Sequence, residues 1–243
     1  MRLHELALVM PVYNEEACIK AVVDSWLAEL DRLGIDFRMI ILNDGSRDAT
    51  ATKLALFSTN GRIQVINKEN SGHGPTILQG YRLAIAQAEW VFQVDSDDEM
   101  EAAHFESLWK LRGEYAALFG FRSGRQQNAG RRLISSVSRL SVNLLFGRGV
   151  VDVNTPYRLI RSNALKKIVA MIPDDTFAPN ILISGALAAS RQPVLNLPIP
   201  HEGRKSGQVS IVKWRLWKAA ACSLLQTLVF RFKYFRVVNH KIL

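Results

Sequence analysis

Up to Phe121 the chain alternates short apolar runs with longer stretches in which apolar residues recur every three or four positions. Leu6 to Met10 is an apolar run closed by Pro11, which predicts a first strand. From about Glu15 to Leu33, Val22, Val23, Trp26, Leu27 and Leu30 share one helical face, Asp24, Glu29, Asp31 and Arg32 share the other, Asn14 is the expected cap and Gly34 the stop. The same alternation predicts strands at Phe37–Leu42, Ile63–Ile66, Trp90–Val94 and Ala116–Phe121. Helices are expected from the Asp48 cap to about Phe57, from Pro75 to Gln87 and from about Ala103 to Leu111. Strands alternating with amphipathic helices predict a parallel sheet covered on both faces, with ligands beyond the carboxyl ends of its strands.

Beyond Phe121 the pattern changes. A helix is expected from Arg131 to Phe146, with Leu133, Val137, Leu140, Leu144 and Leu145 as its apolar stripe. Asp152 to Leu159 reads as a turn entering a short strand. Helices near Asn163–Ile168 and Phe177–Ser190, a strand at Val194–Ile199 and a basic loop at His201–Ser210 follow. The tail from Ile211 to Leu243 mixes Trp214, Trp217, Leu224, Leu225, Leu228, Phe230, Phe232, Tyr234 and Phe235 with Lys and Arg. That composition suits a helix in a membrane interface, and equally one packed on the preceding domain or forming an oligomer contact. The expected boundaries are a catalytic domain over 1–210 and a tail over 211–243.

Polar residues sharpen this outline. The run ending at Val94 passes into Asp95, Ser96, Asp97, Asp98 and Glu99, four carboxylates in five positions. Adjacent carboxylates repel and cannot be buried unpaired, so this is a solvated acidic turn or a set of hard oxygen ligands for Mg2+ or Mn2+. The predicted sheet brings Pro11–Glu15, Asn43–Ser46 and Asp95–Glu99 onto one rim. Between residues 122 and 148, Arg122, Arg125, Arg131, Arg132, Arg139 and Arg148 occur with no acidic residue among them, which fits phosphate recognition or a solvated basic face.

The 243 residues are 48% hydrophobic, enough for one well-cored domain with an appendage. A formal charge of +9 indicates a polyanionic partner: nucleic acid, an anionic membrane or phosphorylated small molecules. Two cysteines, Cys18 and Cys222, are too few for a disulfide framework, which suits a reducing compartment. No apolar run reaches the roughly 20 residues that span a bilayer, and the N-terminus has no signal-peptide pattern. The expected location is cytoplasmic, peripheral on the membrane face.

Pro11-Val12-Tyr13-Asn14-Glu15, Asn43-Asp44-Gly45-Ser46 and Asp95-Ser96-Asp97, in this order at strand ends, resemble glycosyltransferase family 2. The similarity continues through Asn70–Gly74, Gly80, Asp152–Leu159, and His201, Arg204 and Gly207, roughly to residue 210. Within the family the chain looks most like the dolichol- or polyprenyl-phosphate sugar synthases, because of the arginines after Phe121 and the His201/Arg204 loop. It departs from the family's pattern at Asn43, where Asp is common, and at Thr155-Pro156-Tyr157-Arg158, where Ser-Gly-Phe-Arg is usual. These departures bear on the base contacts and on the acceptor side.

The resemblance implies a GT-A (Rossmann-like) three-layer α/β/α fold with a mostly parallel central sheet, plus an amphipathic helical tail. It implies an inverting, metal-dependent glycosyltransferase that moves a sugar from a UDP- or GDP-linked donor. Pro11, Val12, Tyr13 and Glu15 would line the nucleoside pocket, and Asn43 and Asp44 would meet the base. Asp95, Ser96 and Asp97 would hold the diphosphate, with Asp95, Asp97 and Glu99 as ligands of the divalent cation, Mg2+ or Mn2+. A polyprenyl-phosphate acceptor is already ionised and needs positioning, for which Arg122 and Arg131 come first and Arg125, Arg132 and Arg204 second. His201 would meet a phosphate or the metal, or stand as a surface histidine. A sugar-hydroxyl acceptor in a cell-envelope glycan or glycolipid would instead need a general base, Asp152 or then Asp98, working alongside Asp97. Two other classes stand against this reading. A sugar nucleotidyltransferase would want Gly and Lys near the first strand, where Pro11–Asn14 has neither. A non-catalytic polyanion-binding protein would use only the basic face; nucleic acid is not the expected partner.

Overall fold

The computed structural model describes residues 3–123, 129–200 and 213–239, with the backbone alone for 129–134, 213–219 and 238–239. A seven-stranded sheet forms the middle layer, built from β1 (His4–Val12), β2 (Phe37–Asp44), β3 (Ile63–Lys68), β4 (Ala88–Gln93), β5 (Ala117–Ser123), β6 (Arg158–Arg161) and β7 (Val194–Pro200). Its order is β3-β2-β1-β4-β6-β5-β7. The first four strands run parallel, as does β7 to β5, while β6 runs antiparallel to both β4 and β5. The expected mostly parallel sheet is present, but β5 does not follow β4 across it: β6 is inserted between them.

Strand period 2 divides the core in two. Leu6, Leu8 and Met10 point to the layer formed by α1 (Ile19–Arg32), α2 (Thr50–Ala55) and α4 (Phe105–Leu111). Ala7 and Val9 point to the opposite layer, with α3 (His73–Ala84), α5 (Ala129–Phe146), α6 (Ser162–Val169), α7 (Pro179–Ala189) and α8 (Lys213–Asn239). Both faces of β1 are therefore buried, which is why its sequence is a continuous apolar run rather than an alternating one. Phe230 and Tyr234 of α8 belong to the same core cluster as α5 and α7, so the tail helix is packed onto the sheet-bearing domain.

The first helix begins later than its pattern suggests. Residues 15–18 form a turn in which Cys18 N–H and Ile19 N–H donate to Glu15 O, and α1 starts at Ile19. Asn14 is not its cap. It adopts a left-handed φ of 54°, and its Oδ1 accepts from Arg47 N–H at 2.8 Å. Asn14 instead ties the N-terminal loop to the turn after β2, and the sequence does not separate the two roles because Asn serves both. Asp48 does support α2, accepting from Thr50 N–H at 3.0 Å, and its other oxygen accepts from Glu16 N–H at 3.2 Å.

Candidate active site

Between β1 and β4 the chain order reverses: β2 and β3 lie on one side of β1, and β4 on the other. In open α/β sheets a crevice forms at this switch point, outside the carboxyl ends of the strands. Two of the polar segments expected on the rim leave those two ends. Pro11 and Val12 finish β1 and lead into Tyr13–Glu15, while Asp95 and Ser96 follow β4 after Val94. The Cys18 thiol joins them, 3.4 Å from Glu15 Oε2 and 3.5 Å from Ser96 O. Glu15 is itself buried, with its N–H donating to Thr50 Oγ1 at 2.9 Å, and Tyr13 is exposed beside it.

At the end of β2, Asn43 Nδ2 donates to Asn67 Oδ1 at 2.8 Å, and its Oδ1 accepts from Ser46 N–H at 3.2 Å. Gly45 adopts φ +69°, and a Cβ there would lie 2.8 Å from Asn70 N, so the Asn-Asp-Gly-Ser turn requires glycine on both counts. Asp44 faces inward. Its Oδ1 accepts from Lys68 Nζ and from Ser71 N–H at 2.9 Å, and its Oδ2 accepts from Gly72 N–H at 2.9 Å. Burial pushes the Asp44 carboxyl up, but Lys68 and the Ser71 and Thr76 hydrogen bonds outweigh that and hold it below the usual aspartate range. Asp44 thereby pins the turn that starts α3, and both its oxygens are engaged within the protein.

The acidic turn is arranged unevenly. Asp95 Oδ1 accepts from Gln93 Nε2 at 3.0 Å and lies 3.7 Å from His73 Nε2 at the start of α3. Asp97 Oδ1 accepts from Glu99 N–H at 3.2 Å, and Asp98 turns the chain with a left-handed φ of 58°. Among the described residues no three His, Cys, Asp or Glu side chains converge as a metal site, so Asp95, Asp97 and Glu99 do not form a protein cage. They fit the other mode used by Mg2+ and Mn2+, in which one or two carboxylates hold the ion and phosphates and water complete the shell.

Across β4 the antiparallel β6 starts where the parallel strands end, and this delivers the 152–158 segment to the same rim. Arg122, near the end of β5, also arrives there. Its Nε donates to Asp152 Oδ2 at 3.0 Å, and its Nη2 lies 2.9 Å from the same oxygen. Asp152 Oδ1 accepts from Asn154 N–H at 3.2 Å. The favoured acceptor-phosphate group and the favoured general base are therefore one ion pair. Arg131 and Arg132 lie in the first turn of α5, with side chains outside the described ones. Arg125, His201 and Arg204 lie outside the described residues.

Sequence reasoning missed three residues behind Asp95, namely Gln93, Tyr81 and Asn180, and named Arg158 only as part of the 155–158 run; all four are buried. Gln93 sits in an apolar run and Tyr81 and Asn180 within expected helices, and the contacts joining the four span up to 99 positions. A polar residue inside an apolar strand was the one available signal.

This sheet order and layering are those of a GT-A fold. Residues 7–169 match the family model described as glycosyl transferase family 2, and the chain belongs to that family. Among curated proteins, an undecaprenyl-phosphate 4-deoxy-4-formamido-L-arabinose transferase of Pseudomonas aeruginosa is 29% identical over 184 residues, covering 74% of this chain and 53% of that protein. The same-named protein of Pseudomonas fluorescens is 26% identical over 221 residues, 88% of this chain and 62% of the relative. The chain thus spans about half to three-fifths of the length of these relatives. Among solved structures, glucosyl-3-phosphoglycerate synthase of Mycobacterium tuberculosis, crystallised with Mn2+, UDP-glucose and glycerol 3-phosphate, superposes with a TM-score of 0.66 at 16% identity, covering 93% of this chain and 80% of that one. S. aureus TarS 1–349 with UDP-GlcNAc gives 0.60 at 16% identity, covering 88% and 64%.

Proposed function

We propose that this chain catalyses inverting transfer of a sugar from a UDP- or GDP-linked donor to a polyprenyl phosphate, with Mg2+ or Mn2+ at Asp95 and Asp97. The observation that carries the reading is the position of the Asp95-Ser96-Asp97 turn beside the Pro11–Glu15 loop at the β1–β4 switch point. The names of the undecaprenyl-phosphate relatives support the acceptor, and the UDP- and Mn2+-bound glycosyltransferases of the same fold support the donor and the cation.

Asp95 and Asp97 hold the diphosphate end through the cation, which when bound supplies Lewis-acid neutralisation of the leaving nucleoside diphosphate. Glu15, Tyr13 and the Asn43 turn frame the nucleoside. The anomeric carbon passes through an oxocarbenium-like state while the acceptor oxygen approaches from the opposite face. Arg122 holds the acceptor phosphate in line, exchanging its Asp152 partner for phosphate oxygens of matching geometry.

The Asp152 geometry favours a phosphate over a hydroxyl acceptor. Both its oxygens already accept hydrogen bonds, one from a guanidinium, so it is poorly placed to take a proton. A lipid phosphate needs no base.

The same reading puts the chain at a membrane surface. No described helix is long and apolar enough to cross a bilayer. Yet α5 exposes Val137, Leu140 and Leu144, and α8 exposes Leu225, Val229 and Phe232. Neither helix contains an acidic residue. An apolar, acid-free and basic face suits the headgroup region of an anionic leaflet. Manganese- or magnesium-dependent release of UDP or GDP across a panel of nucleotide sugars, with and without undecaprenyl phosphate, tests the reading. Turnover indifferent to the lipid overturns the acceptor; no release from any donor overturns the enzyme.

A further inference from the structure

Behind the candidate cation site lies a buried polar chain with no evident packing purpose. Gln93 closes β4, is wholly buried, and donates through Nε2 to Asp95 Oδ1 at 3.0 Å. Its Oε1 accepts from Asn180 Nδ2 at 2.9 Å, and Tyr81 OH donates to Asn180 Oδ1 at 2.9 Å. The Asp95 carboxylate, an acceptor only, requires the nitrogen end of Gln93 to face it, which leaves Gln93 Oε1 to accept from the Asn180 amide. In the antiparallel ladder Gln93 is paired directly with Arg158.

Arg158 is also wholly buried, and among the described residues no carboxylate lies within ion-pair distance of it. Its Nε donates to Thr155 O at 2.8 Å, Nη1 to Asn180 O at 3.1 Å, and Nη2 to Val153 O at 3.3 Å, all neutral acceptors. An unpaired buried cation is expensive, and a packed apolar side chain would satisfy the fold at lower cost. Burial draws the Arg158 pKa down, and Asp152 and Asp95 are among the charges that draw it back up.

We propose that Gln93 is a positioning residue for the Asp95 carboxylate, clamped by Asn180 and Tyr81 so that the carboxylate is held turned toward a divalent ion, and that Arg158 braces this clamp by holding Asn180 O together with the Val153 and Thr155 carbonyls. The proposal rests on the functional reading above, in that Asp95 is taken as a ligand. Outer-sphere hydrogen bonds of this kind orient ligands and tune metal affinity. The arrangement also explains the inserted antiparallel strand: only a strand running against β4 brings a residue of the 152–158 segment into register with Gln93.

The test is manganese binding without turnover, read by the electron paramagnetic resonance of free Mn2+ as the full chain is titrated in the presence of UDP and, separately, of GDP. Gln93→Leu and Arg158→Met are expected to weaken Mn2+ binding by about tenfold or more, with Arg158→Lys falling between them and the parent. Thermal unfolding of each variant separates this from scaffolding. Should Gln93→Leu not fold, Gln93→Asn keeps an amide too short to reach Asp95 and serves in its place. Variants that melt earlier but bind Mn2+ as the parent does overturn the positioning role and leave the network structural. A parent that binds no Mn2+ with either UDP or GDP overturns the ligand assignment of Asp95, and the positioning role with it.

Discussion

The two halves of the sheet solve different problems. In the β3-β2-β1-β4 half, polar residues at the strand ends are bonded to one another: Asn43 to Asn67, Asp44 to Lys68, Asn14 to Arg47. In the β6-β5-β7 half, with α5, α7 and α8, the charged pair on the rim among the described residues is Arg122–Asp152, and the outer helices expose apolar side chains. A rim rich in internal hydrogen bonds is preorganised and suits a rigid, polar ligand such as a nucleotide. A face with exposed apolar and basic groups suits a flexible amphiphile carrying a phosphate. Under the function proposed above the contrast is that of a donor side and an acceptor side, and each of the following variants strains it at a different place.

Asp97→Ala strains it most. Losing a ligand of the cation should lower transfer about 10³-fold, several kcal/mol of transition-state stabilisation, with the circular dichroism of the parent retained. Near-parent turnover sinks the metal assignment. Next comes the interior of the donor side. Lys68→Met leaves Asp44 buried without its cation and should cost about 3 kcal/mol, or roughly 10 °C in thermal unfolding. A shift of a degree or two would mean that the Ser71 and Gly72 amides suffice. On the acceptor side, Arg122→Ala should raise the KM for lipid phosphate about tenfold or more while leaving the donor KM nearly unchanged; equal damage to both contradicts the division. Leu140→Asp with Phe232→Asp should cut sedimentation with phosphatidylglycerol vesicles by about tenfold. Donor hydrolysis should be untouched, since both side chains are exposed.

The smallest effect is in acid. Asp44 is held below its ordinary value in the folded chain, so the stability it contributes is complete above the unfolded aspartate range, about pH 3.9, and is lost as pH falls through the depressed native value. Lys68→Met should flatten the fall in stability below about pH 4. A variant that follows the parent's acid profile would falsify the Asp44–Lys68 account.

Much of this fold and rim is legible in the residues alone. The apolar runs locate the strands to within a few residues, because a strand buried on both faces has no other way to read. The four carboxylates after β4 announce a rim, because no core tolerates them. Asp152 and Arg122 each stand out in the sequence, but their union does not: Arg122 sits on β5 and Asp152 on the segment leading into β6, and nothing in a one-dimensional pattern pairs positions that far apart. Gln93 escapes notice for the same reason, since a polar side chain inside an apolar run declares neither its partner nor its direction, and the place of Arg158 behind Asp95 is hidden likewise.

Local chemistry in the chain decided where strands and helices form, which turn carries the acidic residues, and how much apolar surface there is to bury. Those are properties of neighbours along the backbone, set by period, propensity and charge repulsion. Only the tertiary structure decided that β6 enters backwards between β4 and β5, and with it which residues face Asp95. Strand order and direction depend on how whole layers close over one another, a choice that no local stretch of sequence makes by itself.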